Sequence, residues 1–97
     1  MTTINIDKFG PIISTKEVGQ SILELILLNL EEFDKIKIDL KNVKSMATFC
    51  SKQVFGFLYI KLGSEKFFDR LEFVNTSKDL QTIIKIGIQS AIDENKK

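Results

Sequence analysis

The sequence predicts an α/β domain in which a single layer of about four mostly parallel or mixed strands packs with about three main helices. Three observations carry that expectation. Segments with a two-residue apolar period alternate with segments of helical period, in the order strand, helix, strand, helix, strand, helix. The 97 residues suit one domain, and a hydrophobic content of 43% is enough for one core without staples. A single proline and five scattered glycines leave no linker or low-complexity segment, so residues 1–97 read as one domain with a frayed polar tail at 93–97.

The first element is short and extended. Ile4 and Ile6 alternate with polar neighbours, Phe9-Gly10-Pro11 marks a turn, and Ile12-Ile13 follows. The pattern fits a hairpin or one broken strand, because proline cannot donate to a central ladder. Ser14-Thr15-Lys16-Glu17 has capping-box spacing, so a helix is expected from about Thr15 to Leu30. Val18, Ile22, Leu25, Ile26 and Asn29 share one face of it, and Leu23, Leu27 and Leu30 widen that face.

Lys35 to Leu40 is the clearest strand. Ile36, Ile38 and Leu40 point to one side, and Lys35, Lys37 and Asp39 to the other. A second helix is expected near Thr48 to Leu62, with Gly63 as its stop. Cys50, Val54, Phe57 and Leu58 form one stripe on it, and Phe55, Tyr59 and Leu62 a second. Leu71 to Val74 reads as a strand entered from Phe67-Phe68. Asn75-Thr76-Ser77 then caps a third helix with Asp79 near its positive end. Leu80, Ile83, Ile84, Gly87, Ile88 and Ala91 make its narrow apolar stripe.

Composition excludes several chemistries. Histidine is absent, which removes Ser-His-Asp and Cys-His catalysis. One cysteine makes no internal disulfide and has no second thiol to share a metal, so neither metal nor cofactor is expected. A net charge of +1 argues against a dedicated nucleic-acid binder. No glycine-rich phosphate loop follows any strand. Residues 1–8 lack the apolar run of a signal peptide, and the stretch from Ile22 to Leu30 is too short for a bilayer span. The expectation is a cytoplasmic domain without membrane contact.

Candidate sites are few. Glu31, Glu32 and Asp34 cluster after the first helix, which suits a divalent-metal site or, more simply, a solvated loop. Cys50 in the first turn of a helix is either an activated thiol or a small core residue, and its stripe favours the core. Tyr59, in mid-helix, reads as packing. The richest segment runs from Ser45 to Ser51. It places the hydroxyls of Ser45, Thr48 and Ser51 between a strand and a helix start, where α/β proteins put their sites. The helix end favours an anion there, although Thr48 as a plain N-cap accounts for the same residues.

This junction resembles the STAS domain superfamily, the fold of the anti-sigma factor antagonists. The resemblance rests on Ile38-Asp39-Leu40-Lys41-Asn42-Val43-Lys44-Ser45-Met46, which matches that fold's strand end and short apolar link. It extends through the element order from about Ile12 to Ile92. Thr48 falls at the superfamily's phosphorylatable serine. Ala47, Phe49 and Cys50 stand where its aspartate, second serine and glycine would be. A hydroxyl followed by phenylalanine at the helix start, with Asn75 before the Thr76-Ser77 cap, is more similar to a divergent STAS-like family of unknown function.

The resemblance implies a non-enzymatic interaction or switch module. Its partner would be a protein, of the histidine-kinase-like ATPase class that acts as an anti-sigma factor. It implies phosphorylation at Thr48, with Ser45 and Ser51 as fallback hydroxyls. The implied partner-binding set is Asp39, Lys44, Ser45, Thr48, Ser51 and Lys52. Two other readings stand beside it: a small-ligand sensor or thiol-dependent enzyme using Cys50, and a structural domain that forms a homodimer through the Val18–Leu30 helix, Phe67 and Phe68.

Overall fold

The structure is a computed structural model and describes residues 2–96. Strands β1 (Thr2–Asn5), β3 (Ile36–Asp39) and β5 (Leu71–Val74) form a parallel sheet in the order β1-β3-β5. The register aligns Ile4, Ile38 and Phe73 in one row and Thr3, Lys37 and Glu72 in the next. Ile4, Ile36, Ile38 and Leu71 are buried, whereas Thr3, Asn5 and Glu72 on the other face are exposed. The alternation read from Lys35 to Leu40 therefore holds, with one face under helices and one wet. On the wet face Lys37 pairs with Glu72 at 3.9 Å.

The N-terminal segment is neither hairpin nor broken strand. A 3-10 turn at Ile6–Phe9 separates β1 from β2 (Ile12–Ile13), which joins a second small sheet with β4 (Ser45–Met46). Gly10, at φ 109°, takes the chain out of that turn. Pro11 lacks a donor, but its carbonyl accepts from Lys44 N at 2.7 Å. The expected single layer is thus five short strands in two sheets, because Gly10-Pro11 redirects the chain between them.

Four helices cover the sheet. Helix α1 spans Lys16–Glu32. Its N-cap is Thr15, whose Oγ1 accepts from Val18 N at 3.1 Å, one residue later than a Ser14–Glu17 box requires. Helix α2 (48–62) begins as Thr48–Ser51, widens into a π turn at Lys52–Gly56 and ends as Phe57–Leu62. Helix α3 (Ser64–Arg70) was not expected as a helix; it has a single buried residue, Phe67, so no apolar period announces it. Gly63, at φ 84°, ends α2 and opens α3. Helix α4 (Lys78–Asn95) starts on Ser77, which accepts from Leu80 N at 3.1 Å. It runs to Asn95, so the expected tail at 93–97 includes the last turn of this helix, and Lys97 lies outside the described residues.

The π turn has a cause in the sequence. The inward residues of α2 repeat every four positions: Cys50 and Ser51, Val54 and Phe55, Leu58 and Tyr59, then Leu62. On an ideal α-helix a four-residue repeat drifts about 40° per step, so three steps would carry Leu62 off the core. One widened turn, in which Phe57 N–H reaches Lys52 O, takes up that drift. The same widening turns Phe57 outward to 46% exposure, against its expected place on the core stripe.

Helix α2 crosses α4 at very short range. A Cβ on Gly87 would lie 2.2 Å from Ser51 Oγ and 2.6 Å from Ser51 C, and one on Gly56 would lie 2.7 Å from Gly87 O. Ser51 Oγ donates to Ile83 O across the crossing at 2.9 Å. Gly87→Ala should therefore destabilise the fold by about 1–3 kcal/mol. At an unhindered helical site the same change stabilises by roughly 0.5–1 kcal/mol. Urea denaturation reads the difference, and an unchanged or raised midpoint would remove the close crossing.

Candidate functional site

The six residues of the expected partner surface separate into three environments. Asp39 closes β3 on the main sheet. Its Oδ1 accepts from Asn75 Nδ2 and from Lys41 N, both at 2.9 Å. The Asn75 hydrogen bond, then that of the Lys41 amide, holds its carboxyl below the usual carboxylate range. Asn75 and Asn42 both sit in the left-handed region, at φ 58° and 68°, and Asn42 Nδ2 donates to Asp7 Oδ2 at 3.3 Å. These asparagines make the chain reversals after β5 and β3 that only glycine, asparagine or aspartate take readily.

Lys44, Ser45 and Thr48 are exposed on the β4–α2 junction. Thr48 is not the N-cap. That position is Ala47, in extended conformation and without a side-chain cap, and Thr48 is the first helical residue. Ala47 N is occupied by Ile13 O at 2.8 Å, and Ala47 O accepts from Cys50 N and Ser51 N. The second sheet thus fixes where α2 begins and leaves the Thr48 hydroxyl free of a capping role.

Ser51 differs from expectation, and Lys52 reaches toward α4 while keeping part of its side chain exposed. Ser51 is 0% exposed and bound to Ile83 O, so the α2–α4 crossing withdraws it from any partner surface. Lys52 is half-buried and paired with Glu94 of α4. Cys50 is also fully buried, with Sγ donating to Thr15 O at 3.4 Å, and burial pushes the thiol pKa up. A raised pKa means less thiolate at neutral pH, the opposite of an activated nucleophile. Among the described residues no group of acidic, histidine or cysteine side chains is arranged to hold a metal ion.

Of the acidic cluster, Glu31 and Glu32 end α1 and Asp34 follows it, all three exposed. Arg70, the one arginine of the chain, donates Nη2 to Leu30 O at 2.7 Å and Phe33 O at 3.0 Å, and Nε to Asp34 O at 3.0 Å. It satisfies the carbonyl end of α1 and fixes α3 to it. Tyr59 packs edge-on against Phe67 and Phe68 at 5.5 and 6.2 Å. Phe67 is buried, which removes it from the homodimer surface expected of it, whereas Phe68 is exposed.

Beside the junction lies a feature the sequence reading did not single out. An open groove of about 780 Å³ runs between α1, α2 and the end of α4. Its α2 wall is Phe49, Lys52, Gln53, Phe57 and Ile60; its α1 wall is Lys16, Gln20, Leu23 and Leu27. Phe49 and Ile60 are 52% and 40% exposed. Gln53 Nε2 ties the walls together by donating to Lys16 O at 3.0 Å, and its Oε1 fills the space a Cβ on Gly19 would need. The signal was present as large apolar residues lying off the four-residue repeat of α2.

Among the described residues no helix is long and apolar enough to cross a membrane. With parallel strands under four helices and an exposed hydroxyl opening α2, the chain has the STAS-like arrangement. The model of the family described as STAS-like domain of unknown function (DUF4325) matches residues 18–81. That span covers well over half of the chain, from α1 to the start of α4, and the chain belongs to this family. Searches of the curated proteins and of the solved structures gave no match.

The buried, unactivated thiol has a direct consequence. A thiol reagent should modify Cys50 on the order of a hundredfold more slowly in native protein than in urea, since reaction requires local opening. Equal rates in the two states would reveal an accessible thiol and restore the thiol-dependent reading.

Proposed function

We propose that this chain is a non-enzymatic docking module whose protein partner contacts the β4–α2 junction, with Thr48 as the switch. The carrying observation is the two-sided nature of α2. Its inner face is locked by Cys50, Ser51, Val54 and Phe55, while Thr48 and Phe49 stand exposed at its start. A surface of that kind can bind without rearranging the core. Lys44 and Ser45 extend it along the incoming strand, while Asp39 stands apart from it at the end of the main sheet, bonded to Asn75 and Lys41.

Phosphorylation of Thr48 fits this geometry physically. It adds nearly two negative charges at the first helical position, where the helix dipole favours an anion and the fold is retained. The same charges, placed in a partner's apolar contact, weaken that contact by desolvation and repulsion. The superfamily resemblance points to a histidine-kinase-like ATPase of the anti-sigma-factor type as partner and to signalling in the bacterial cytoplasm as the setting. The reaction would then belong to the partner, and this chain would need no cofactor.

A pull-down from the native host with full-length chain and with Thr48→Asp tests the proposal. The expected result is a protein retained by the wild type and lost, by roughly tenfold or more in affinity, with the aspartate variant. A partner held equally by both removes the switch and leaves the module.

A further inference from the structure

We infer that the groove between α1 and α2 receives an amphipathic helix of that partner, its apolar stripe on Phe49, Phe57 and Ile60 and an acidic residue beside Lys16. The inference rests on the docking reading and adds the class of segment that is bound.

Shape comes first. The groove is open to solvent, and its α2 wall supplies three large, exposed apolar side chains. An exposed surface of three such anchors on a rigid wall suits a helix laid along it, which presents its own apolar residues at i, i+3, i+4 and i+7. A small ligand would instead require a pocket that encloses most of its surface.

Charge then selects the occupant. Two helix starts meet at the same end of the groove, Lys16 as the first residue of α1 and Phe49 as the second of α2. Cys50 Sγ to Thr15 O and Gln53 Nε2 to Lys16 O keep those starts side by side. Both present the positive ends of their dipoles. Lys16 and Lys52 add two cations there. Opposing them are Glu94, already paired with Lys52, and the C-terminal end of α4. Lys96 follows that end, and Glu24 lies farther along α1, hydrogen-bonded to Gln20. Glu17, next to Lys16 in the first turn of α1, is exposed and does not line the groove; of the charged residues that do line it, Lys16 and Lys52 face Glu94 alone, and Lys16 has no ion-pair partner among the described residues. A carboxylate on the incoming helix complements that end. Because Phe49 follows Thr48 directly, a phosphate on Thr48 would repel the same carboxylate, which couples the switch to the groove.

The test measures affinity of the captured partner for full-length chain carrying Phe57→Ser, Ile60→Ser or Lys16→Glu, together with sedimentation of the chain alone. Each apolar variant should weaken binding by roughly tenfold or more. Lys16→Glu should weaken it at low salt and lose much of that effect at high salt. A synthetic peptide of the partner's acidic amphipathic helix should compete with the intact partner for wild-type chain. Circular dichroism confirms folding of each variant, and Lys16→Glu, an exposed change, decides the matter if an apolar variant fails to fold. Undiminished binding by all three variants overturns the groove while leaving the docking module intact. Failure to capture any partner overturns both. A wild-type dimer split by Phe57→Ser overturns the helix as occupant and assigns the groove to a second copy of the chain.

Discussion

The close crossing of α2 on α4 sets the rest of the structure. Gly56, Gly87 and Ala91 bring the two backbones to a distance at which no larger side chain fits. Ser51 bridges them through Ile83 O. Approach this near is productive only if the inward residues of α2 stay in line along the whole contact. A four-residue repeat achieves that only on a helix that is widened once, and the π turn at Lys52–Gly56 lies where contact with α4 is most extensive. The turn is therefore a response to packing and not a flaw in the helix. Its second effect is to turn Phe57 away from the core and into the groove, beside Ile60.

Around that crossing, a few polar contacts place the remaining elements. Arg70 holds three carbonyls at the end of α1 and so fastens α3 to it. Gln53 and Cys50 anchor the start of α1 to α2. Ala47, bonded to Ile13 O, ties the first residues of α2 to the small sheet. The helix start at Thr48 is consequently held from three sides while its hydroxyl stays in solvent. A hydroxyl exposed on a helix start held this firmly can gain charge while the fold is retained.

Much of this was legible from residue patterns. The period of two in β3, the Ser77 cap, Gly63 as a stop and the stripe of α4 all followed from local rules, because each depends on neighbours within one or two turns. Other features depend on distant contacts. Helix α3 has one buried residue, so no period could mark it. Ser51 reads as a surface hydroxyl until Gly87, far along the chain, closes over it. Thr48 looks like an N-cap until the ladder from Ile13 moves that role to Ala47. The outward turn of Phe57 required knowing that the four-residue repeat would win over the ideal twist, although the repeat itself stands in the sequence. The groove follows from that same outcome.

These elements combine into an account of a helix with one face committed to the fold and the other available to a partner. The polar face of the main sheet, where Lys37 meets Glu72, is a plain solvated surface in that account. The measurement that separates the two surfaces is the amide chemical-shift footprint of the isotopically labelled chain on saturation with its purified partner. The account predicts the largest changes at Lys16, Gln20, Phe49, Gln53, Phe57 and Ile60, with Thr3, Lys37 and Glu72 unmoved. Largest changes at Thr3, Lys37 and Glu72, with α2 silent, would contradict it.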